Sequence, residues 1–203
     1  MIAKNFRGMF LYAFVFHRLR QIAPSILNDF PSLRVVKFYD ADCFTDFPAN
    51  ANASNGQTVA KWLFTLRSDN VPKIFNCELQ KNKWILASRI EAFKAAFASA
   101  SSPVNFIVII WISQFFADTV EPFDLTNKLT WEQLVLKRTD YPKCFLLIRC
   151  PIVRDASKWK KWEEEAIDWD IDQLNRIEIR INDEDNIIGD GLLDAVPGST
   201  DQK

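Results

Sequence analysis

Apolar residues in this chain fall into short dense runs separated by stretches with a helical period. The runs "LRVVKFY" (33–39), "KIFNCEL" (73–79), "VNFIVIIWI" (104–112) and "CFLLIRC" (144–150) are β-branched and aromatic and end at turn residues, which is the pattern of buried strands. A fifth run, "NRIEIRI" (175–181), alternates polar and apolar positions and predicts an outer, half-exposed strand. Between them, Val59, Trp62, Leu63 and Leu66 recur at i, i+3, i+4 and i+7 behind Ser54-x-x-Gln57, which has the form of a capping box. Ser88-x-x-Glu91 opens a second expected helix, with Ile90, Phe93 and Phe97 on its inward face. Trp159, Trp162, Ala166 and Trp169 share an arc of roughly 80° at about 100° per residue. They predict the sheet-facing stripe of a crossover helix capped by Asp155 or Ser157. The run "MFLYAFVF" (9–16), continued by Leu19, Ile22, Ala23, Ile26 and Leu27, reads as a buried first helix interrupted at Pro24.

Two further segments, 122–127 and 131–139, read as a hairpin, although Thr130-x-x-Gln133 also fits a helix cap. As strand, 131–138 turns Leu134 and Leu136 inward and leaves Trp131, Gln133, Val135 and Lys137 on the other face. Trp131 then lies near the hairpin tip as a candidate interaction hot spot, and Lys137 is the second candidate partner-binding residue. Loops are expected at 40–55 and 113–122.

The strands begin at 33, 73, 104, 144 and 175, and most intervals hold one helix, the rhythm of β-α units in a mainly parallel sheet. Leu174-x-x-Ile177-x-Ile179-x-x-Asn182 follows a leucine-rich template, while 30–38 and 104–112 follow it loosely. The expected fold is therefore α/β: a degenerate leucine-rich-repeat-like, mainly parallel sheet with covering helices and an inserted antiparallel hairpin. Residues 1–190 are expected to form one interaction domain, with a subdivision near residue 100 left open, and 191–203 a flexible acidic, Gly/Pro/Ser-containing tail.

Composition narrows the function classes. Hydrophobic residues make up 48% and charged residues 25% of the 203, with a net charge of −1, so no global basic field draws the chain to nucleic acid or anionic lipid. The eight-residue apolar run at 9–16 is far short of the about 20 residues a membrane span needs. Cys43, Cys77, Cys144 and Cys150 form no C-x-x-C motif and are expected to be reduced and buried. His17 is the only histidine and has no nucleophile or carboxylate beside it. No Walker A, G-x-G-x-x-G, G-x-S-x-G or H-E-x-x-H string occurs. Asp118, Glu121 and Asp124 lack the spacing of a calcium loop, and Gly189-Asp190-Gly191 reads as a linker turn. Arg149, Arg154, Lys158, Lys160 and Lys161 gather near one strand–helix junction, where Lys160/Glu164 and Lys161/Glu165 can pair at i, i+4.

Four strings, "FPANANASNGQTVAKWLFTLRSDNVPKIFNC", "IEAFKAAFASASSPVNFIVIIWI", "VEPFDLTNKLTWEQLVLKRT" and "FLLIRCPIVRDASKWKKWEEEAIDW", occur here in that order. Over about residues 20–195 the chain resembles the C-terminal region of nematode F-box domain-containing proteins. In that family an N-terminal F-box docks onto a cullin–RING ubiquitin ligase and the C-terminal region is thought to present the substrate. No F-box-like segment is found before residue 20, and the resemblance supplies no active-site residues.

The resemblance implies a non-enzymatic protein-interaction module, like the substrate-recognition part of an F-box ubiquitin-ligase receptor. It implies a protein partner, no cofactor, no metal, no membrane, and a cytoplasmic or nuclear location; nucleic acid is not an expected partner. Two alternatives come from the residues themselves: an enzyme using carboxylates near Asp118, Glu121 and Asp124, and a nucleic-acid binder using Lys137, Arg138, Arg149 and Arg154.

Overall fold

The computed structural model describes residues 7–12, 15, 25–38, 58–79, 83–168 and 176–179. Eight strands form one sheet: β1 (Gly8–Leu11), β2 (Val35–Phe38), β3 (Lys73–Leu79), β4 (Phe106–Ile112), β5 (Phe123–Asn127), β6 (Glu132–Arg138), β7 (Cys144–Pro151) and β8 (Arg176–Ile179). Their spatial order is β5-β6-β7-β4-β3-β2-β1-β8. Four helices are described: α1 (Thr58–Leu63), α2 (Lys83–Ala98), α3 (Gln114–Ala117) and α4 (Ala156–Ile167).

The sheet is mixed α/β. The strands β1 to β4 lie side by side in chain order and run parallel, and β8 returns to add a parallel partner on the free side of β1. After β4 the direction changes: β7 pairs with it antiparallel, and the β5–β6 hairpin extends the sheet beyond β7. The expected hairpin is therefore present, on the outer edge of the sheet, and the helix-cap reading of Thr130-x-x-Gln133 gives way to it. The β-α rhythm had placed the 144–150 strand in the parallel series, and its antiparallel pairing with β4 corrects that; a run buried on both faces looks the same in a parallel or an antiparallel ladder.

Both faces are covered. On one, Val36, Phe38, Phe75, Phe106, Val108 and Leu147 pack against Val59, Trp62 and Leu63 of α1 and Phe93 and Phe97 of α2. On the other, Val35, Ile74, Ile107, Ile109, Leu146 and Ile148 pack against Trp159 and Ala166 of α4, with Trp162 partly buried beside them. The tryptophan stripe is thus a packing face, with the Trp159 and Trp162 rings edge-to-face at 5.2 Å; Trp169 lies outside the described residues. Burying an indole of this size contributes on the order of 3 kcal/mol, so α4 is held by this contact more than by its helix propensity.

Several local expectations are corrected. The start of the 9–16 run is strand β1, not helix; its four residues are all buried between β2 and β8. Four-residue apolar stretches do not distinguish the two states. Ser88 and Glu91 sit inside α2, which already starts at Lys83, so they are not its cap. The helix α1 ends at Leu63, and Leu66 is exposed. The 113–122 loop contains the short helix α3. Of the two expected pairs on α4, Lys160–Glu164 forms at 3.8 Å, whereas Glu165 pairs with Arg34 at the foot of β2. Asp155 is the N-cap of α4, accepting from Lys158 N at 3.0 Å. Cys77, Cys144 and Cys150 are buried thiols, and burial pushes the Cys150 thiol up to about 11. His17, Cys43, the 40–55 loop, the Ser54-x-x-Gln57 box, the 189–191 triplet and the 191–203 tail lie outside the described residues.

Candidate functional site

The β5–β6 turn is built around Asn127. Its side-chain amide donates to Phe97 O and Ala100 O, closing the C-terminal end of α2. Its Oδ1 accepts from Leu129 N and Thr130 N. One asparagine therefore fixes both the end of a helix and the course of the turn. The chain leaves the turn through Trp131 with φ at 55°, the left-handed region. Glycine or asparagine is usual at such a position, and a bulky side chain there costs about 1–2 kcal/mol. Asn70 has the same conformation, but asparagine tolerates it.

Trp131 recovers little of that cost by packing, since it is 70% exposed. Leu129 in the same turn is 78% exposed. The β7–α4 connection lies alongside: Trp131 O accepts from Ile152 N at 2.9 Å, and the next residue, Val153, is 89% exposed. Three large apolar side chains from two adjacent connections thus stand in solvent at one end of the sheet. Soluble proteins seldom gather them there without a use.

Directly beneath lies a buried ion pair. Glu132 and Arg149 are each 1% exposed. Glu132 Oε2 accepts from Arg149 Nη2 at 2.6 Å and from Nε at 3.2 Å, while its Oε1 accepts from Val104 N at 2.8 Å. Arg149 Nη2 also donates to Ser102 O, and the guanidinium stands 5.3 Å from the centre of the Phe97 ring. The pair ties β6, β7 and the 102–104 segment together one residue from Trp131. The platform under the exposed indole is therefore rigid.

Lys137 is elsewhere. It lies six residues along β6, about 20 Å from Trp131 at the rise of an extended strand, and its Nζ donates to Glu163 Oε2 at 2.5 Å. It lines a cleft of about 420 Å³ between the end of β6 and α4, with Arg138, Leu146, Arg154, Trp159 and Glu163 also on the wall. The two candidate residues therefore do not share a site.

Of the four cations in the nucleic-acid reading, Lys137, Arg138 and Arg154 line this one cleft together with Glu163, and only Arg149 stands apart. Arg149 is interior, and Arg138 donates to Ala117 O at 2.7 Å and to Asp118 at 3.3 Å. Arg154 donates to Pro151 O at 3.2 Å, and with the Gln133 amide oxygen turned toward it, to Gln133 at 2.8 Å. Among the described residues no group of His, Cys, Asp or Glu is placed to hold a metal ion, and no helix is long and apolar enough to cross a membrane.

Sequence reasoning found Trp131 but passed over Leu129 in the same turn, and it missed Val153, whose proximity depends on which strand neighbours β6. It also missed the Glu132–Arg149 pair, although the signal was present: Glu132 continues the inward i, i+2 series of Leu134 and Leu136, and Arg149 that of Phe145 and Leu147. No protein-family model, curated protein or solved structure matches this chain.

Proposed function

We propose that this chain is a non-enzymatic protein-interaction module whose contact surface is the Trp131–Leu129–Val153 patch. The observation that carries the reading is Trp131 itself: a large indole, 70% exposed, held at positive φ on a rigid turn. It is expensive for the fold and buries little, which is the profile of a residue kept for what it touches. Lys137, engaged by Glu163 in a separate cleft, is not part of the surface.

The resemblance to the C-terminal region of nematode F-box proteins gives this module a place as the substrate-recognition part of a ubiquitin-ligase receptor. In the same reading, β1 to β4 with their intervening helices are a short, degenerate leucine-rich-repeat-like block, and the antiparallel strands beyond β4 are the addition that carries the recognition turn. The working compartment would be the cytoplasm or nucleus.

Affinity capture from nematode extract, quantified by mass spectrometry and run in parallel with Trp131→Ala, tests the surface. At least one partner should fall by about tenfold or more, the loss expected when a hot-spot aromatic is truncated; identical partner profiles would refute it. Fusing an F-box to the N-terminus and assaying ubiquitination of the captured partner tests the receptor role separately.

A further inference from the structure

We propose that two copies of this chain pair through the outer edge of β5, antiparallel and centred on Leu125, so that their sheets join into one. The edge lies apart from Trp131 and Val153, and its pairing holds or fails independently of the recognition surface.

The strand β5 ends the sheet, with β6 its only strand neighbour among the described residues. The next ladder in decides which of its backbone groups face outward. Thr139 N donates to Cys144 O, and Ile152 N to Trp131 O. In the β6–β7 register, the odd-numbered residues of β6 therefore turn their backbone toward β7 and the even-numbered ones toward β5. Leu136, Leu134 and Glu132 stand opposite Phe123, Leu125 and Asn127. Those three bond inward, and Asp124 and Thr126 point their N–H and C=O groups away from the sheet. None of these outward groups has a hydrogen-bond partner among the described residues.

Edge strands are commonly blunted by lysine, proline or a bulge. The sequence of β5, FDLTN, holds no lysine or proline, and its register with β6 runs without a break. Phe123 and Leu125 lie partly buried against the core, while Asp124 and Thr126 are exposed on the other face.

This strand is complementary to itself. Centred on Leu125, the antiparallel register sets Asp124 against Thr126 of the second copy, and Thr126 against its Asp124. These are the residues whose backbone groups point outward, so each pair exchanges both N–H···O bonds. The Thr126 hydroxyl can donate to the facing Asp124 carboxylate. On the other face Leu125 meets Leu125, extending the half-buried apolar row across the junction. A register one residue away sets Asp124 against Asn127 and Thr126 against Leu125, whose backbone groups already bond to β6. Registers two residues away set Asp124 against itself or carry the ladder into the 128–131 turn.

The ends of the ladder agree. Glu121 and Lys128, both exposed, come together across the junction at each end. Each exposed Leu129 is brought toward the 119–121 segment of the other copy, where Leu86, Ile90 and Val120 wall a pocket of about 210 Å³. The opposing effect is one diagonal, which holds the two Asp124 carboxylates roughly 7–8 Å apart in solvent, where repulsion is small. A ladder this short buries little area, so the dimer belongs with weak, reversible associations.

Sedimentation velocity of the full-length chain from about 5 to about 300 μM, the range of such weak contacts, reads the pairing. The native chain should pass from monomer to dimer. Thr126→Pro removes an outward N–H and no bond to β6, and should weaken the dimer about tenfold or more, since the two-fold removes that bond twice. Thr126→Lys and Thr126→Glu set a charge opposite Asp124. Lysine should tighten the dimer and glutamate weaken it, each by roughly 2- to 30-fold, because every pair occurs twice. Both side chains stand in solvent, so these two variants should melt with the native chain. Trp131→Ala should associate as the native chain does. A chain that stays monomeric to the top of that range, or a dimer indifferent to all three Thr126 variants, would overturn the pairing and leave the recognition surface standing. A monomer whose capture of some other protein is lost in Thr126→Pro would give the edge to a foreign strand and overturn it as well.

Discussion

The Glu132–Arg149 pair offers a demanding test of the packing described above. Removing one member leaves the other as a buried charge with no counter-ion, and such a loss costs about 3–5 kcal/mol. Glu132→Leu strands the guanidinium among Phe97, Phe64 and Ser102 O; Arg149→Met strands the carboxylate with only Val104 N. Against a domain stability of about 5–15 kcal/mol, either change alone is severe. The double variant carries no buried charge. It loses the Val104 and Ser102 hydrogen bonds, about 1 kcal/mol each, and gains apolar packing between α2 and the sheet. Its net change should lie within about 2 kcal/mol of the native chain, so the coupling in the cycle should be at least about 4 kcal/mol. Urea unfolding followed by tryptophan fluorescence measures all four proteins, with equal m-values required for the comparison. Additivity within about 1 kcal/mol would show that the two side chains do not share a dry site and would refute this account of the hairpin platform.

The other predictions are single substitutions. Trp131→Gly should leave stability unchanged or raise it by up to about 1 kcal/mol in urea melts, because relief at positive φ offsets the added unfolded-state entropy, while partner binding is lost; a loss of about 2 kcal/mol or more would mean the indole is structural. Trp159→Ala, which empties the contact between α4 and the sheet, should cost about 3–5 kcal/mol by the same assay. Lys73, 5% exposed with its ammonium donating to Trp62 O, has a pKa brought down from 10.5 to about 7, by desolvation first and by Arg67 second. Between those values the unfolded chain binds the proton and the folded chain does not, so this group makes stability rise with pH, by at most about 1.4 kcal/mol per unit. The native chain should therefore gain about 2 kcal/mol more than Lys73→Met between pH 7 and pH 9; parallel pH profiles for the two would contradict the burial.

Much of this architecture can be read from the chain, and the exceptions have physical causes. Residues 73–79 are β3 as expected, and the 104–112 and 144–150 runs contain β4 and most of β7, because each apolar run is long enough to need two covered faces. The inward turn of Leu134 and Leu136 followed from strict alternation. The β1 strand was read as helix because its four apolar residues merge into a longer run that suits either state. The Ser88-x-x-Glu91 pattern misled because two residues at i, i+3 occur as readily within a helix as at its start. Arg149 looked like part of a surface cluster because its neighbours in sequence are basic, whereas its strand position turns it inward. The exposed turn was half legible: Trp131 follows from the hairpin, but Val153 joins it only once β7 is known to lie beside β6.

The pairing of β1 with β8 joins Gly8 to Arg176, so the sheet is closed by its most distant parts. The β5–β6–β7 meander spans residues 123–151 and needs only short loops, so it can form early. The β1 edge has to wait until residues 176–179 have left the ribosome. Until then a fully apolar strand presents open backbone groups, a template for pairing with another chain. A nascent or truncated polypeptide lacking β8 should therefore depend on chaperones far more than the finished protein does.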